Sequence, residues 1–188
     1  INLMDLSLFI VVLGGRSLKS NIELHDVRWV LGESIEDTFP ELRKQWIGKK
    51  NGLHIDSYKC IKYVDGYEIV LSKSNKDCLI IPKTEDLSLW FVNLGGYDPQ
   101  RMYEEHLFTL VVARKAIDAK KKAKRNWQSN LKSKHNDDCS GIDNLKLIDD
   151  IHRINKINNW NIKLILDSED RSEKLIPDWY GYMRIDRF

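Results

Sequence analysis

The run Leu8-Phe-Ile-Val-Val-Leu13 is apolar at every position and stops at Gly14-Gly15, a pattern too short for a helix and typical of a strand covered on both faces. A polar loop follows over 16–21, and Leu24–Leu31 predicts a second strand. Ser34 stands as an N-cap, with Glu36 and Asp37 in the first turn of a helix expected to reach Trp46. A third strand opens at His54-Ile-Asp56. Tyr58–Val64 and Tyr67–Ser72 then flank Asp65-Gly66, the composition of a hairpin turn.

The whole pattern returns 81 residues later. Leu13-Gly14-Gly15 recurs as Leu94-Gly95-Gly96, Glu23/His25 as Glu104/His106, Trp46 as Trp127, and His54/Asp56 as His135/Asp137. From Asp5 to Asp56, fifteen of fifty-two positions are identical without a gap, where chance gives about three, so the chain is an internal duplication. In the second copy Ala116, Ala119, Ala123 and Trp127 recur at helical spacing on one face, with lysines on the others. That copy departs from the first after Asp137, with a longer polar loop over 137–144. A strand or short helix around Leu147–Ile154 and a last strand at Ile162–Leu166 follow.

These patterns predict an α+β protein, a tandem duplication of a β-β-α-β-β module with mostly antiparallel sheets, each covered by a helix, in a pseudo-twofold arrangement. The expected organisation is a first module over 4–72, a linker over 73–84, a second module over 85–167, and a tail over 168–188. Ile176-Pro-Asp-Trp-Tyr-Gly-Tyr182 makes that tail aromatic enough to dock on the body. The most apolar strand belongs between the second and third, antiparallel to both, with the helix as a right-handed crossover.

Composition narrows the class. Of 188 residues, 42% are apolar and 31% charged, enough for a buried core and against disorder. A formal charge of +2 implies no nucleic-acid or membrane partner by itself. Cys60, Cys78 and Cys139 form no Cys-x-x-Cys pair and read as reduced thiols, with Cys60 as a small core residue. The longest apolar run, Leu8–Leu13, is far below the ~18 residues of a membrane span, so a cytoplasmic protein is expected.

The topology brings the repeated polar residues to one sheet edge. Strand side chains alternate, so Glu23 and His25 share a face, as do His54 and Asp56, beside Gly14 and Gly15. The second copy presents Glu104, His106, His135 and Asp137 beside Gly95 and Gly96. Two imidazoles and two carboxylates suit Zn²⁺, Mn²⁺ or Fe²⁺, and a His–carboxylate pair is also the unit of general acid–base work. The structural alternative is that these histidines hydrogen-bond carboxylates or carbonyls and fix the strand ends. Because a strand rather than a helix follows Gly-Gly, the glycines point to a bulge or a close backbone approach, not a phosphate cradle. Lys120–Lys134 suggests RNA binding, but the solvated face of an amphipathic helix accounts for it, and Trp127 reads as a core anchor like Trp46. No serine or cysteine has the surroundings of a nucleophile.

Leu8-Phe-Ile-Val-Val-Leu-Gly-Gly15, Glu23-Leu-His-Asp26, His54-Ile-Asp56 and Val64-Asp-Gly-Tyr-Glu-Ile69 resemble the bacterial family catalogued as domain of unknown function 1543. Leu94-Gly-Gly-Tyr97 with Glu104-Glu-His106 is similar to the second copy of many members, and Pro177-Asp-Trp-Tyr-Gly-Tyr182 to a frequent ending. The resemblance implies a two-copy bacterial protein and carries over no activity, cofactor or partner. The expected function is a binding or structural module that meets a small ligand or protein at the Gly-Gly edges. A metal-dependent hydrolase using Glu23, His25, His54 and Asp56 is the alternative, and an RNA-binding protein the second.

Overall fold

The computed structural model describes residues 6–73, 87–96, 100–128 and 151–187. The apolar run forms β1 (Ser7–Gly15), and the stretch after the polar loop forms β2 (Leu24–Gly32). The helical segment begins as one 3-10 turn over Glu36–Thr38 and continues as α1 (Phe39–Gln45), whose first turn takes Pro40 because no N–H is needed there. Ser34 N–H donates to Asp37 Oδ2 at 2.8 Å and Asp37 N–H to Ser34 Oγ at 3.4 Å, a reciprocal entry. Next come β3 (His54–Ile61), β4 (Tyr63–Val64) and β5 (Tyr67–Lys73). Asp65 and Gly66 turn between the last two at φ 53° and 80°, the mirror-turn conformation that Asp-Gly favours.

The second copy supplies β6 (Ser88–Gly96), β7 (Glu105–Ala113), α2 (Ala116–Gln128), β8 (Ile151–Ile154), β9 (Lys156–Ile157) and β10 (Trp160–Leu166). The tail adds β11 (Trp179–Arg184). The architecture is α+β, with antiparallel sheets and short helices. No helix among the described residues is long and apolar enough to cross a membrane.

The chain divides into two compact units, Ile1–Tyr63 with Glu173–Phe188, and Val64–Ser172. In the first unit the strand order is β11-β3-β1-β2, so β1 lies between β2 and β3 and is antiparallel to both. Phe9, Val11 and Leu13 pack with Val30, Phe39, Leu42, Trp46, Leu53 and Ile55, and each such aliphatic side chain contributes about 1.5–3 kcal/mol on burial. Leu8 and Ile10, on the opposite face of β1, are buried as well, which is why the run is apolar throughout.

In the second unit β6 lies between β7 and β8. Its register with β7 repeats that of β1 with β2: Gly95 faces His106 as Gly14 faces His25. The third strand does not keep the 81-residue offset. Leu8 pairs with Ile61, but Leu89 pairs with Ile154, 93 residues after Ile61. The second copy therefore carries twelve additional residues before this strand, and the gapless repeat ends ahead of it.

The fourth strands also depart from expectation. β5 does not close a sheet within its own copy but pairs with β10, from Tyr67 opposite Leu166 to Lys73 opposite Trp160, in the order β4-β5-β10-β9. A lone hairpin of this length is marginal in water, and pairing the two copies' strands satisfies both backbones. Asp65 accepts Val112 N–H at 2.7 Å and meets Lys122 Nζ at 2.8 Å, fixing the turn against β7 and α2. Ala119 and Ala123 of α2 are buried against Trp90, Val92, Leu94 and Val111. Residues 74–86, most of the expected linker, and 129–150, with the 137–144 loop, His135 and Asp137, lie outside the described residues, as does the Trp127 side chain.

Candidate functional site

Gly14 is the centre of the site. On β1 it faces His25 of β2 on one side and His54 of β3 on the other. A Cβ at Gly14 would lie 2.9 Å from Asp56 Oδ2 and from His54 Cε1, and closer still to His54 Nε2. The missing side chain is thus the space these two groups occupy. Gly15 serves the other face, where a Cβ would lie 2.9 Å from the Trp46 ring. That indole is buried and donates to Lys49 O at 3.0 Å. The Gly-Gly pair is a close-approach device on both faces of one strand end.

His54 is 1% exposed. Its Nδ1 lies 2.9 Å from Gly52 O, and since a carbonyl only accepts, Nδ1 carries the proton. Nε2 then points at Asp56 Oδ1, 3.3 Å away, and at Glu23 Oε2, 3.7 Å away. The other Asp56 oxygen, Oδ2, is 3.2 Å from His25 Nε2. His25 is about half exposed, at 55%, and Glu23 and Asp56 are partly exposed. A chain of polar groups therefore runs from the exposed His25 through Asp56 to the buried His54 and the Gly52 carbonyl.

The tail completes this arrangement. β11 pairs with β3, and its register shifts between Tyr180 and Met183. Gly181 sits at φ 153°, a conformation side chains rarely adopt, and a Cβ there would lie 3.0 Å from the Trp179 ring. Tyr182 is thereby laid over His54 with ring centroids 4.1 Å apart, while Trp179 stacks on Tyr58. The Gly52 peptide ties tail and site together, because its N–H donates to Asp186 Oδ2 at 2.7 Å. Arg184 forks onto Asp186 at 3.1 and 2.5 Å. This guanidinium first, and the Gly52 N–H second, hold the Asp186 carboxyl well below the usual carboxylate range. Burial, then the charges of Glu36 and Asp178, push the Tyr58 hydroxyl up.

Sequence reasoning missed Tyr182. A glycine inside the aromatic Trp179-Tyr-Gly-Tyr182 run is the signal that marks the bulge.

The part of the second copy that lies among the described residues, Gly95 with Glu104 and His106, is arranged differently. A Cβ at Gly95 would lie 2.9 Å from Glu104 Cδ, so here glycine accommodates a carboxylate rather than a buried imidazole. His106 Nε2 is 3.8 Å from Glu104 Oε2, beyond hydrogen-bond distance, and Asn93 donates to His106 Nδ1 at 3.3 Å. His106 is as exposed as His25, at 56%. His135 and Asp137 lie outside the described residues, and the pairing of β8 with β6 is described only over Ile151–Ile154. Among the described residues no group of three or more His, Cys, Asp and Glu side chains is arranged to hold a metal ion as it stands. In the first copy the reason is visible, for Asp56 stands between the two imidazoles and gives one oxygen to each. In the lysine-rich run, Lys122 is engaged by Asp65.

The model of the family named Domain of Unknown Function (DUF1543) matches residues 20–71 and 101–147, more than half of the chain. The chain belongs to the DUF1543 family. Both matched segments carry the Glu-x-His pair, so the chain is a two-copy DUF1543 member. Among solved structures it is similar to a protein, Il1583, from Idiomarina loihiensis, with 32% identity and a TM-score of 0.70. The similarity covers 96% of this chain and 98% of that one, so it spans both DUF1543 copies and the tail. No curated protein matches the chain.

Proposed function

We propose that this DUF1543 protein is a binding module that holds a small ligand over Gly14, on the edge formed by Glu23, His25, Asp56 and Tyr182. One observation carries the reading: a fully buried histidine is oriented from behind by a backbone carbonyl, so that its free nitrogen faces two partly exposed carboxylates. Capping a strand end needs one hydrogen bond. This cluster spends a glycine, a bulged aromatic strap and four polar side chains on one place, as binding sites do. With Nε2 of His25 toward Asp56, its Nδ1 is left for a hydrogen bond to a ligand. His25 and Asp56 also make a general acid–base pair, but among the described residues their interactions include no nucleophile, and the binding reading is preferred to catalysis.

Gly95 and the Glu104/His106 pair take a structural part in this reading, so one ligand is expected per chain. The lack of a Cys-x-x-Cys pair among Cys60, Cys78 and Cys139 supports a cytoplasmic location, and the family resemblance a bacterial source. The β5–β10 ladder, where Val70 faces Lys163 93 residues on, supports a local twofold relation between these strands of the two copies.

The test is a panel of small amines, alcohols and amino acids in buffer containing EDTA, read by thermal shift and by the imidazole resonances of His25 and His54. A panel member should stabilise the wild type and move both rings, and His25→Ala should abolish the stabilisation. Stabilisation that survives His25→Ala, or a panel that moves neither ring, would end the proposal.

A further inference from the structure

The tail strand leaves a second feature on the first unit, across the sheet from the Gly14 edge. Met183 of β11 stands opposite Ile55 and packs against the core that holds it, whereas Tyr182 lies over His54 on the other face. Four strands at a spacing of about 4.8 Å put the outer two roughly 14 Å apart, and a helix with its side chains is only about 10–12 Å across. α1 buries Phe39 and Leu42 together with Val30 of β2. Its cover runs out toward β11, where Met183 stays partly buried. The shortfall is a cleft of about 340 Å³ lined by Glu36, Phe39, Pro40, Met183 and Arg184, at the small end of the size range of ligand pockets.

We propose that this cleft binds a small organic ammonium ion, its cation at Glu36 and its apolar body on Phe39, Pro40 and Met183. Charge selects the sign. Of the two charged lining residues, Arg184 is already balanced, because its guanidinium donates to both oxygens of Asp186. Glu36 is exposed, and among the described residues its carboxylate makes no hydrogen bond or ion pair. The uncompensated charge of the lining is therefore negative, which attracts a cation and repels an anion. The other three lining residues select the body. A hydrated inorganic cation gains nothing from Phe39, Pro40 and Met183, whereas an amine that lays carbon on them gains in proportion to the apolar area it covers, and the Met183 thioether adapts to its shape. The field of Glu36 also acts inward over this face: after burial, it is the largest cause that pushes up the Tyr58 hydroxyl, whose ring stacks on Trp179 of β11.

The experiment titrates the full chain, labelled at its methionine methyl groups, with phenethylamine, phenethyl alcohol and phenylacetate, which share one ring and differ in charge. Met183 is one of three methionines, and the fully exposed Met102 is the internal control. Phenethylamine should shift the Met183 methyl resonance along a saturable one-to-one curve and leave Met102 and the imidazoles of His25 and His54 unmoved. An exposed carboxylate contributes modestly, so the alcohol should bind about three- to tenfold more weakly than the amine, and phenylacetate more weakly still. Glu36→Gln, isosteric and at an exposed position, keeps the fold and should bring the amine down to the affinity of the alcohol. A Met183 methyl that none of the probes moves would overturn the inference, as would an alcohol or a carboxylate that binds as tightly as the amine, or amine binding unchanged in Glu36→Gln. Phenethylamine that moves the His25 and His54 rings and not Met183 belongs to the Gly14 edge, which would overturn the cleft while leaving the binding reading of that edge in place.

Discussion

Replacing Gly14 by alanine puts the close-approach argument to its sharpest test. The added Cβ would lie 2.9 Å from His54 Cε1 and Asp56 Oδ2, where ordinary contact is about 3.5–4.0 Å. His54 must therefore retreat by more than half an ångström, yet it is buried, tied to Gly52 O on one side and covered by Tyr182. Overfilling of this kind costs about 1–3 kcal/mol. Alanine returns about 0.4–1 kcal/mol by restricting the unfolded chain, so a net loss of roughly 1–2 kcal/mol is expected. For a chain of this length that lowers Tm by roughly 2–8 °C. Urea unfolding followed by tryptophan fluorescence measures it, and a double-mutant cycle with His54→Ala assigns it, since removal of the ring vacates the space. The cost of Gly14→Ala should shrink by at least about 1 kcal/mol in that background. If Gly14→Ala costs the same with and without the imidazole, the glycine is not there to admit it, and the account of the site's centre is wrong.

Two further outcomes follow from the tail and the salt links. The Asp186 carboxyl is held below its ordinary range by Arg184 and Gly52 N–H, and that of Asp167 down to about 2 by the Arg171 side chain. Lowered folded-state values contribute stability above the unfolded value of about 3.9 and lose it as pH falls through the folded one. Urea midpoints should accordingly hold above pH ~4 and fall between ~4 and ~2, and Asp186→Asn should be weaker at neutral pH with a shallower acid decline; parallel curves for the two proteins would contradict this. Gly181→Ala places a side chain at φ 153° against the Trp179 ring, so the tail strand should loosen at a cost of about 1–3 kcal/mol. Faster amide exchange along β3 and β11 reports it, and unchanged exchange would show that the bulge does not hold Tyr182 in place.

The convergence of Gly14, His25, His54 and Asp56 was legible because it depends on short-range rules. A period of two sorts side chains to faces, and an antiparallel neighbour on each side of the most apolar strand brings three strand ends together. The same rules carried the Asp65-Gly66 turn and the alanine face of α2. They could not assign Tyr182, whose place over His54 depends on a strand more than a hundred residues away and on a bulge that changes its register.

By itself, then, the sequence determined the duplication, the strand and helix types, the central position of β1 and the polar set at its end, since each follows from local periodicity and from identity at a constant offset. The tertiary structure alone decided which edges pair. An alternating strand such as Tyr67–Lys73 offers the same backbone donors and acceptors to any partner, and only the closing of the whole chain selects β10. The same holds for the twelve additional residues that move the third strand of the second copy to Ile154, and for the tail strand that covers the first copy's buried histidine. Two half-sequences that share fifteen of fifty-two positions thus differ at the edge of the first copy, where the tail strand, a long-range pairing and not a local pattern, completes the polar set.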